Sequence, residues 1–374
     1  MKKWSLLLLA ALSTAVFLTG CGNGDETGEN NGIVLESDTG IENSQANAED
    51  EVGPEGTVRS SITNEWIPEE LEQQRPIAIM MPTDKAAQPQ YGIGKADVLY
   101  ECMEEGNMSR QMAIIHDWQN LEQIGNIRSC RLYYIHWAME WDPILVHFGG
   151  VFYMRDVVSR DDIHNISGTY SDGTPETSAP GANAFFRTKD KSSPHNAYVS
   201  ASSLLKAMED LGYPEEHRDS YEDEHFQFAK PGEPTTLEGA NGVTDAVSID
   251  LSDCFPTTKT SLTYNEEDGL YYKYLYGEKQ IDAETGEQLT FKNVILQTAH
   301  YEVLDDKGYL GFRVHDIGMG GYYITNGKAI PITWTKTEEF GVTRYYDMDG
   351  NEIQLNTGKT FIAVVQDDTT PTIK

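Results

Sequence analysis

Basic residues are scarce in this chain. It has 28 Lys and Arg against 60 Asp and Glu, a formal charge of −32. A surface of that sign repels phosphate backbones and anionic headgroups, so nucleic acid is not an expected partner. Cysteine is rare, with four in 374 residues. Apart from Cys21, the cysteines Cys102, Cys130 and Cys254 make an odd number, which argues against a disulfide framework. No His-Glu-x-x-His or Cys-x-x-Cys occurs, and His116-Asp117, His136 and His164 fit no metal-ligand spacing, so no metal is expected. Asp347-x-Asp349-Gly350-Asn351-Glu352 lacks the full calcium-loop ligand set and reads as a hairpin turn. There is no Gly-x-Ser-x-Gly and no P-loop, and no helical pattern follows Gly318-Met319-Gly320-Gly321. No cofactor is expected.

The chain opens with Lys2 and Lys3, an apolar stretch from Leu6 to Phe17, and then Leu18-Thr19-Gly20-Cys21. The stretch has the length of a secretory leader and is too short for a spanning helix. The run ending at Cys21 resembles the lipobox of bacterial lipoproteins. The resemblance implies that residues 1–20 are a signal peptide and that the Cys21 thiol receives a diacylglyceryl group. Its palmitate-type acyl chains, at roughly 0.8 kcal/mol per buried CH₂, would then hold the protein on the extracytoplasmic face of the cell membrane. Losing Lys2 and Lys3 takes the charge from −32 to −34.

Residues 21–58 read as a disordered acidic tether. Positions 22–58 hold ten Asp or Glu and no Lys or Arg, with too little apolar surface to offset ordering entropy. A coil of ~37 residues reaches roughly 30–37 Å, further when its charges repel.

Folded sequence begins with Arg75-Pro76-Ile77-Ala78-Ile79-Met80-Met81-Pro82, a strand pattern with two buried faces. Ala96 to Met103, Gln111 to Trp118 and Ile144 to Phe148 read as further strands. Helices are expected over Cys130 to Glu140, with Ser129 as N-cap, over Val151 to Arg160, and over Ser200 to Leu211, closed by Gly212. Ser171 to Ala182 is a polar loop. After about Pro231, short aromatic and β-branched runs alternate with turns such as Asn326-Gly327, the pattern of antiparallel hairpins. The expected fold is a mixed α/β (α+β) N-terminal domain over 59–230, followed by an all-β antiparallel domain over 231–374.

Several motifs extend this reading: Gly94-Lys95-Ala96-Asp97, Glu105-Gly106, Ile124-Gly125-Asn126-Ile127-Arg128-Ser129-Cys130-Arg131, His147-Phe148-Gly149-Gly150, Pro194-His195-Asn196, and Thr343-Arg344-Tyr345-Tyr346-Asp347. Together with the Arg75 run they resemble the pattern of the DUF3048 lipoproteins, the YerB-like family, over nearly all of residues 75 to 366. The resemblance implies two domains, a lipid anchor and commonly a Gram-positive envelope, and supplies no catalytic residues. Cys130 stands where the pattern leads one to expect a small residue such as Ala.

Arg128-Ser129-x-Arg131 is the strongest local constellation for chemistry. Two guanidinium forks beside free N–H groups would make an anion site, with Arg110 as a third member. Pairing of these arginines with Glu101, Glu104 or Glu105 is the competing reading. A nucleophilic Cys130 between Arg128 and Arg131 competes with a plain buried thiol. Gly149 and Gly150 can let backbone approach a ligand, and Asn196 adjoins His195. His147 and His195 are a candidate acid–base pair. Tyr271, Tyr272, Tyr274 and Tyr276 read as strand tyrosines in alternation or as a face for stacking sugar rings.

Two functions follow. The first is an envelope lipoprotein that binds an anionic cell-wall polymer or an envelope protein. The second is an envelope-polymer hydrolase or transferase, with Arg128 and Arg131 holding an anion and His147 and His195 moving protons. A transporter's solute receptor is disfavoured, because such receptors repeat an α/β lobe.

Overall fold

Ile77–Pro82 is a strand buried at every residue. An uninterrupted apolar run has no polar face to offer water, so it must be covered on both sides. Val98–Met103, Ser109–Ile115 and Thr360–Gln366 are also buried throughout. These four strands form the middle of an 11-stranded sheet in the computed structural model, which describes residues 52–169 and 179–374. The leader, Cys21, most of the expected tether and most of the 171–182 loop lie outside the described residues. Folded structure begins within the expected tether, where Thr57–Arg59 pairs with Trp66–Pro68.

Across the sheet the strands run Thr244–Asp245, Lys328–Lys336, Asp316–Thr325, Asn293–Ala299, Thr360–Gln366, Val98–Met103, Ser109–Ile115, Ile77–Pro82, Ile144–His147 and Asn165–Ser167. Arg344–Asp347 adds to Lys328–Lys336. The order is far from the chain order. Thr360–Gln366 lies between Asn293–Ala299 and Val98–Met103 and is parallel to both, with Thr360 opposite Val98 and Val364 opposite Cys102. The expected division at residue 230 therefore crosses a shared sheet, within a compact unit spanning Glu51–Lys374. Phe361, Ile362 and Val364 are fully buried there, each contributing roughly 1.5–3 kcal/mol.

The protein is mostly β, with 38% strand against 13% helix, so the helices decorate a sheet instead of forming a layer of their own. Among the described residues the α-helices Leu132–Met139, Arg155–Val158 and Ala201–Leu211 all precede Gly212. Ser200 caps the last of these reciprocally with Ser203, and Gly212, at φ +70°, closes it. The helix expected from Cys130 starts later, at Leu132, and Ser129 does not cap it. Cys130 N–H donates to Gly149 O and Cys130 bridges Gly150 in parallel, which keeps the chain extended through Arg131. The helix expected over Val151 to Arg160 divides into a 3-10 turn, Phe152–Met154, and the short helix Arg155–Val158.

A second, six-stranded sheet holds Ser248–Asp250, Ser261–Asn265, Leu270–Leu275, Glu278–Lys279, Thr290–Phe291 and Thr372–Ile373. Buried and half-buried residues alternate along Leu270–Leu275, so Tyr271 points inward while Tyr272 and Tyr274 do not. The inward residues include Lys273, whose Nζ lies 2.7 Å from Glu101 Oε2. The Glu101 carboxylate also accepts from Ser109, Thr260 and Gln111. Burial pushes its pKa up, but Lys273 and these hydrogen bonds outweigh that and hold it below the ordinary carboxylate value. Asn326 and Gly327, both at positive φ, make the two-residue turn between Asp316–Thr325 and Lys328–Lys336.

Glu140 is a second buried carboxylate. Its Oε1 lies 3.0 Å from Lys336 Nζ, and it accepts from the Thr343 backbone N–H and contacts His225 Nε2 at 3.1 Å. Burial raises its pKa, and Lys336 and His225 more than reverse this, to about 2. The folded value lies below the unfolded one near 4.3, so the unfolded chain binds the extra proton on acidification. Glu140 thus supplies stability that is fully present above about pH 4.5 and lost as pH falls towards 2, on the order of 3 kcal/mol. Urea unfolding across pH 2–7 should show Glu140→Gln less stable than the parent at neutral pH, with the gap shrinking below about pH 4.5.

Candidate functional site

The strands Ile77–Pro82 and Val98–Met103 run in the same direction, and their carboxyl ends turn into Thr83-Asp84 and Glu104-Glu105. Arg110 comes up on the intervening antiparallel strand, opposite Pro82. The backbone N–H of Arg128 donates to Met80 O, placing Arg128 against the same strand. Ile127 N–H donates to Ala197 O, which draws in the loop carrying His195. The second sheet closes one side, where Tyr276 OH donates to Thr83 O at 3.2 Å.

The three arginines have different circumstances. Arg131 donates from Nε to Glu105 Oε2 at 2.9 Å and lies 3.0 Å from Glu104 Oε2. Arg110 pairs with Glu104 and donates to Ser129 O at 3.2 Å. Glu101, the other acid considered for these pairs, is taken by Lys273. Arg128 is half-buried, and among the described residues its guanidinium makes no hydrogen bond or ion pair. Burial, then repulsion by Arg110, hold its pKa below the usual arginine value, while Asp84 opposes them.

His195 is half-buried in the same place, with Nδ1 buried and unpartnered. Burial lowers its pKa first. Asp84 counters, and Arg128 and Arg110 lower it further. The structure thus brings Arg110, Arg128 and His195 together, and adds Asp84.

The remaining candidates have other surroundings. His147 is 2% exposed, with Nδ1 2.7 Å from Gly149 O and Nε2 3.2 Å from Asn165 Oδ1. It borders a separate cleft of about 750 Å³ with His164, Asn165 and Ser167. Ser129 Oγ donates to Phe148 O. Gly149 N–H is taken by Ser167 Oγ, and a Cβ on Gly150 would fall 2.0 Å from Met154 Sδ, so Gly150 makes room for a protein side chain. Asn196 accepts from Arg187 and donates to Thr188 O. Cys130 is fully buried, and burial pushes its thiol up to about 12, which suits a packed side chain and not a nucleophile. Cys102 and Cys254 are likewise buried and free.

Residues 62–214 match the sequence model described as "Protein of unknown function (DUF3048) N-terminal domain", and residues 250–362 match that of its C-terminal domain. The chain belongs to the DUF3048 family. Its arginine cluster falls in the first matched segment, and Tyr276, which borders the cluster, falls in the second. The chain is 25% identical over 310 residues to a Bacillus subtilis (strain 168) protein named "Putative lipoprotein YerB", covering 83% of this chain and 87% of that one. The crystal structure of YerB protein from Bacillus subtilis superposes with a TM-score of 0.68 at 22% identity, over 84% of this chain and 99% of that chain, which shows a shared fold. Among the described residues, no helix is long and apolar enough to cross a membrane.

Sequence reasoning passed over Asp84, which could have been noticed as the first acid beyond the apolar run. The coupling between His195 and Arg128 is directly measurable. Replacing Arg128 with Gln removes a repelling cation, so the His195 imidazole should titrate at higher pH in Arg128→Gln, read from its proton NMR shifts.

Proposed function

We propose that this DUF3048 protein is a lipoprotein, anchored through Cys21 on the extracytoplasmic face of the cell membrane. Its body binds an anionic ligand of the cell envelope, a wall polymer or an envelope protein, through Arg128. The observation that carries the binding reading is the unpaired guanidinium of Arg128. In a chain of charge −32, with Arg110 and Arg131 both ion-paired to glutamates, a half-buried arginine without an ion-pair partner among the described residues stands out. A half-buried guanidinium is partly desolvated without a hydrogen-bonding partner, and an incoming carboxylate or phosphate would relieve that with a two-pronged hydrogen bond. The lipobox-like run at Leu18–Cys21 and the lipoprotein named among the relatives support the anchor.

Binding is preferred to hydrolysis because the proposed acid–base partner His147 is engaged by Gly149 O and Asn165 Oδ1. The mixed N-terminal and all-β C-terminal segments then act as two walls of a binding body that share one sheet.

Two measurements test these statements. Purified protein incubated with peptidoglycan and teichoic-acid fragments should retain one of them, and Arg128→Gln should weaken retention about tenfold or more with no loss of melting temperature. Retention unchanged in Arg128→Gln would remove the binding reading. In cells, Cys21→Ser should move the protein out of the membrane fraction and abolish incorporation of labelled palmitate. A variant that stays lipidated would remove the anchor.

A further inference from the structure

The hairpin formed by Tyr301–Val303 and Leu310–Phe312 is a two-stranded sheet of its own, so side-chain packing has to hold it in place. Tyr301 lies opposite Phe312 and Val303 opposite Leu310, and directly opposed residues share a face. One end of that apolar face is seated, with the Phe312 ring 5.0 Å from the Tyr133 ring of helix Leu132–Met139. The other end is bare, with Val303 61% exposed. Tyr153 pins the turn of the hairpin, its hydroxyl donating to Asp305 Oδ2 at 3.1 Å. Its ring lies 5.8 Å from that of Phe152, which is 69% exposed.

Between hairpin and helix runs a cleft of about 440 Å³, walled by Leu132, Tyr133, Val151, Tyr153, Leu310 and Phe312. Gly311 shapes it. A Cβ there would fall 2.9 Å from Leu304 Cδ2, so glycine lets Leu304 lie over the hairpin backbone and join the wall. Val303 adjoins Leu310 and Phe152 adjoins Tyr153, so the two exposed side chains extend the apolar wall beyond the cleft. Apolar residues exposed singly need no explanation, but a run of them beside a cleft is the form that docking sites take.

The rim of the cleft is mostly of one sign. Glu302 borders it directly, as do Tyr153, His300, Tyr301 and Arg313. Asp305 accepts from Tyr153, Asp367 lies 2.8 Å from His300 Nδ1, Asp368 accepts from Tyr301 OH at 3.0 Å, and Asp316 lies 3.4 Å from Arg313. Among the described residues Arg313 is the one Lys or Arg that borders the cleft, and Lys307 sits in the hairpin turn. A partner must therefore bring apolar side chains and positive charge together. A second copy of this chain would add the same negative field, and an anionic lipid surface is repelled as well. Positions 22–51 and 170–178, outside the described residues, hold Asp and Glu and no Lys or Arg, so neither stretch is the complement. We propose that the cleft docks a basic segment of another protein, with one or two large apolar side chains of that segment in the cleft and its lysines or arginines against the acidic rim.

The test is selection from a phage-displayed library of random peptides on the purified full-length protein in phosphatidylcholine nanodiscs, counter-selected on a variant carrying both Phe152→Ser and Val303→Ser. Both side chains are exposed, so the double variant should melt with the parent. Peptides that prefer the parent should combine large apolar residues with Lys or Arg. A synthetic copy of an enriched peptide, titrated calorimetrically, should bind the double variant about tenfold or more weaker. Raising the salt from about 50 to about 500 mM should weaken it on the parent by about tenfold, and Glu302→Lys, a reversal at an exposed position, should weaken it at low salt. Enriched peptides without basic residues, or binding that salt and Glu302→Lys leave unchanged, overturn the inference. So does a library that yields no peptide preferring the parent. Self-association of the parent that vanishes in the double variant would make the occupant a second copy and overturns it too. Should the double variant melt early, Glu302→Lys and the salt series decide.

Discussion

The pairing of Thr360–Val364 with Val98–Cys102 holds this molecule together. Without it the large sheet falls into two pieces, each with an open edge of unpaired backbone groups, and neither piece would keep both faces covered. The ion pair between Lys273 and Glu101 reinforces the same joint from the side. Glu101 lies on a joint strand, and Lys273 reaches it from the second sheet. Removing either partner would strand a charge where no water reaches it. Glu140 with Lys336 repeats the device on the other side, linking the end of helix Leu132–Met139 to the strand Lys328–Lys336.

This rigid frame sets the chemistry of the site. Asp84, Glu104, Glu105 and Arg110 sit at the ends of adjacent strands, so their separations follow from sheet geometry. The glutamates neutralise Arg110 and Arg131 and leave Arg128 charged and unmatched. Asp84 and Arg128 then pull the protonation of His195 in opposite directions. The outcome is a small region in which cation, carboxylate and imidazole are held close without quenching one another.

Much of this was written locally in the sequence. The apolar run from Ile77 to Met81 showed a strand covered on both faces, Gly212 marked a helix end, and Asn326-Gly327 marked a hairpin, because each depends on neighbours in the chain. The Arg128-Ser129-x-Arg131 motif was legible as charge seeking a partner. Which charge was not: Glu104 and Glu105 reach the arginines only across strands, and Glu101, equally close in sequence, turns to Lys273. Ser129 failed as a cap because Cys130 pairs with Gly150, a contact no local pattern encodes.

The mid-sheet position of Thr360–Gln366 also sets the order in which the protein can assemble. Among the described residues all but one of the other strands precede this one in the chain, so a growing polypeptide must wait with a gap between its two halves. Contacts of such long sequence separation make folding slow. A copy interrupted before residue 360 presents two bare edges to proteases instead of a finished body.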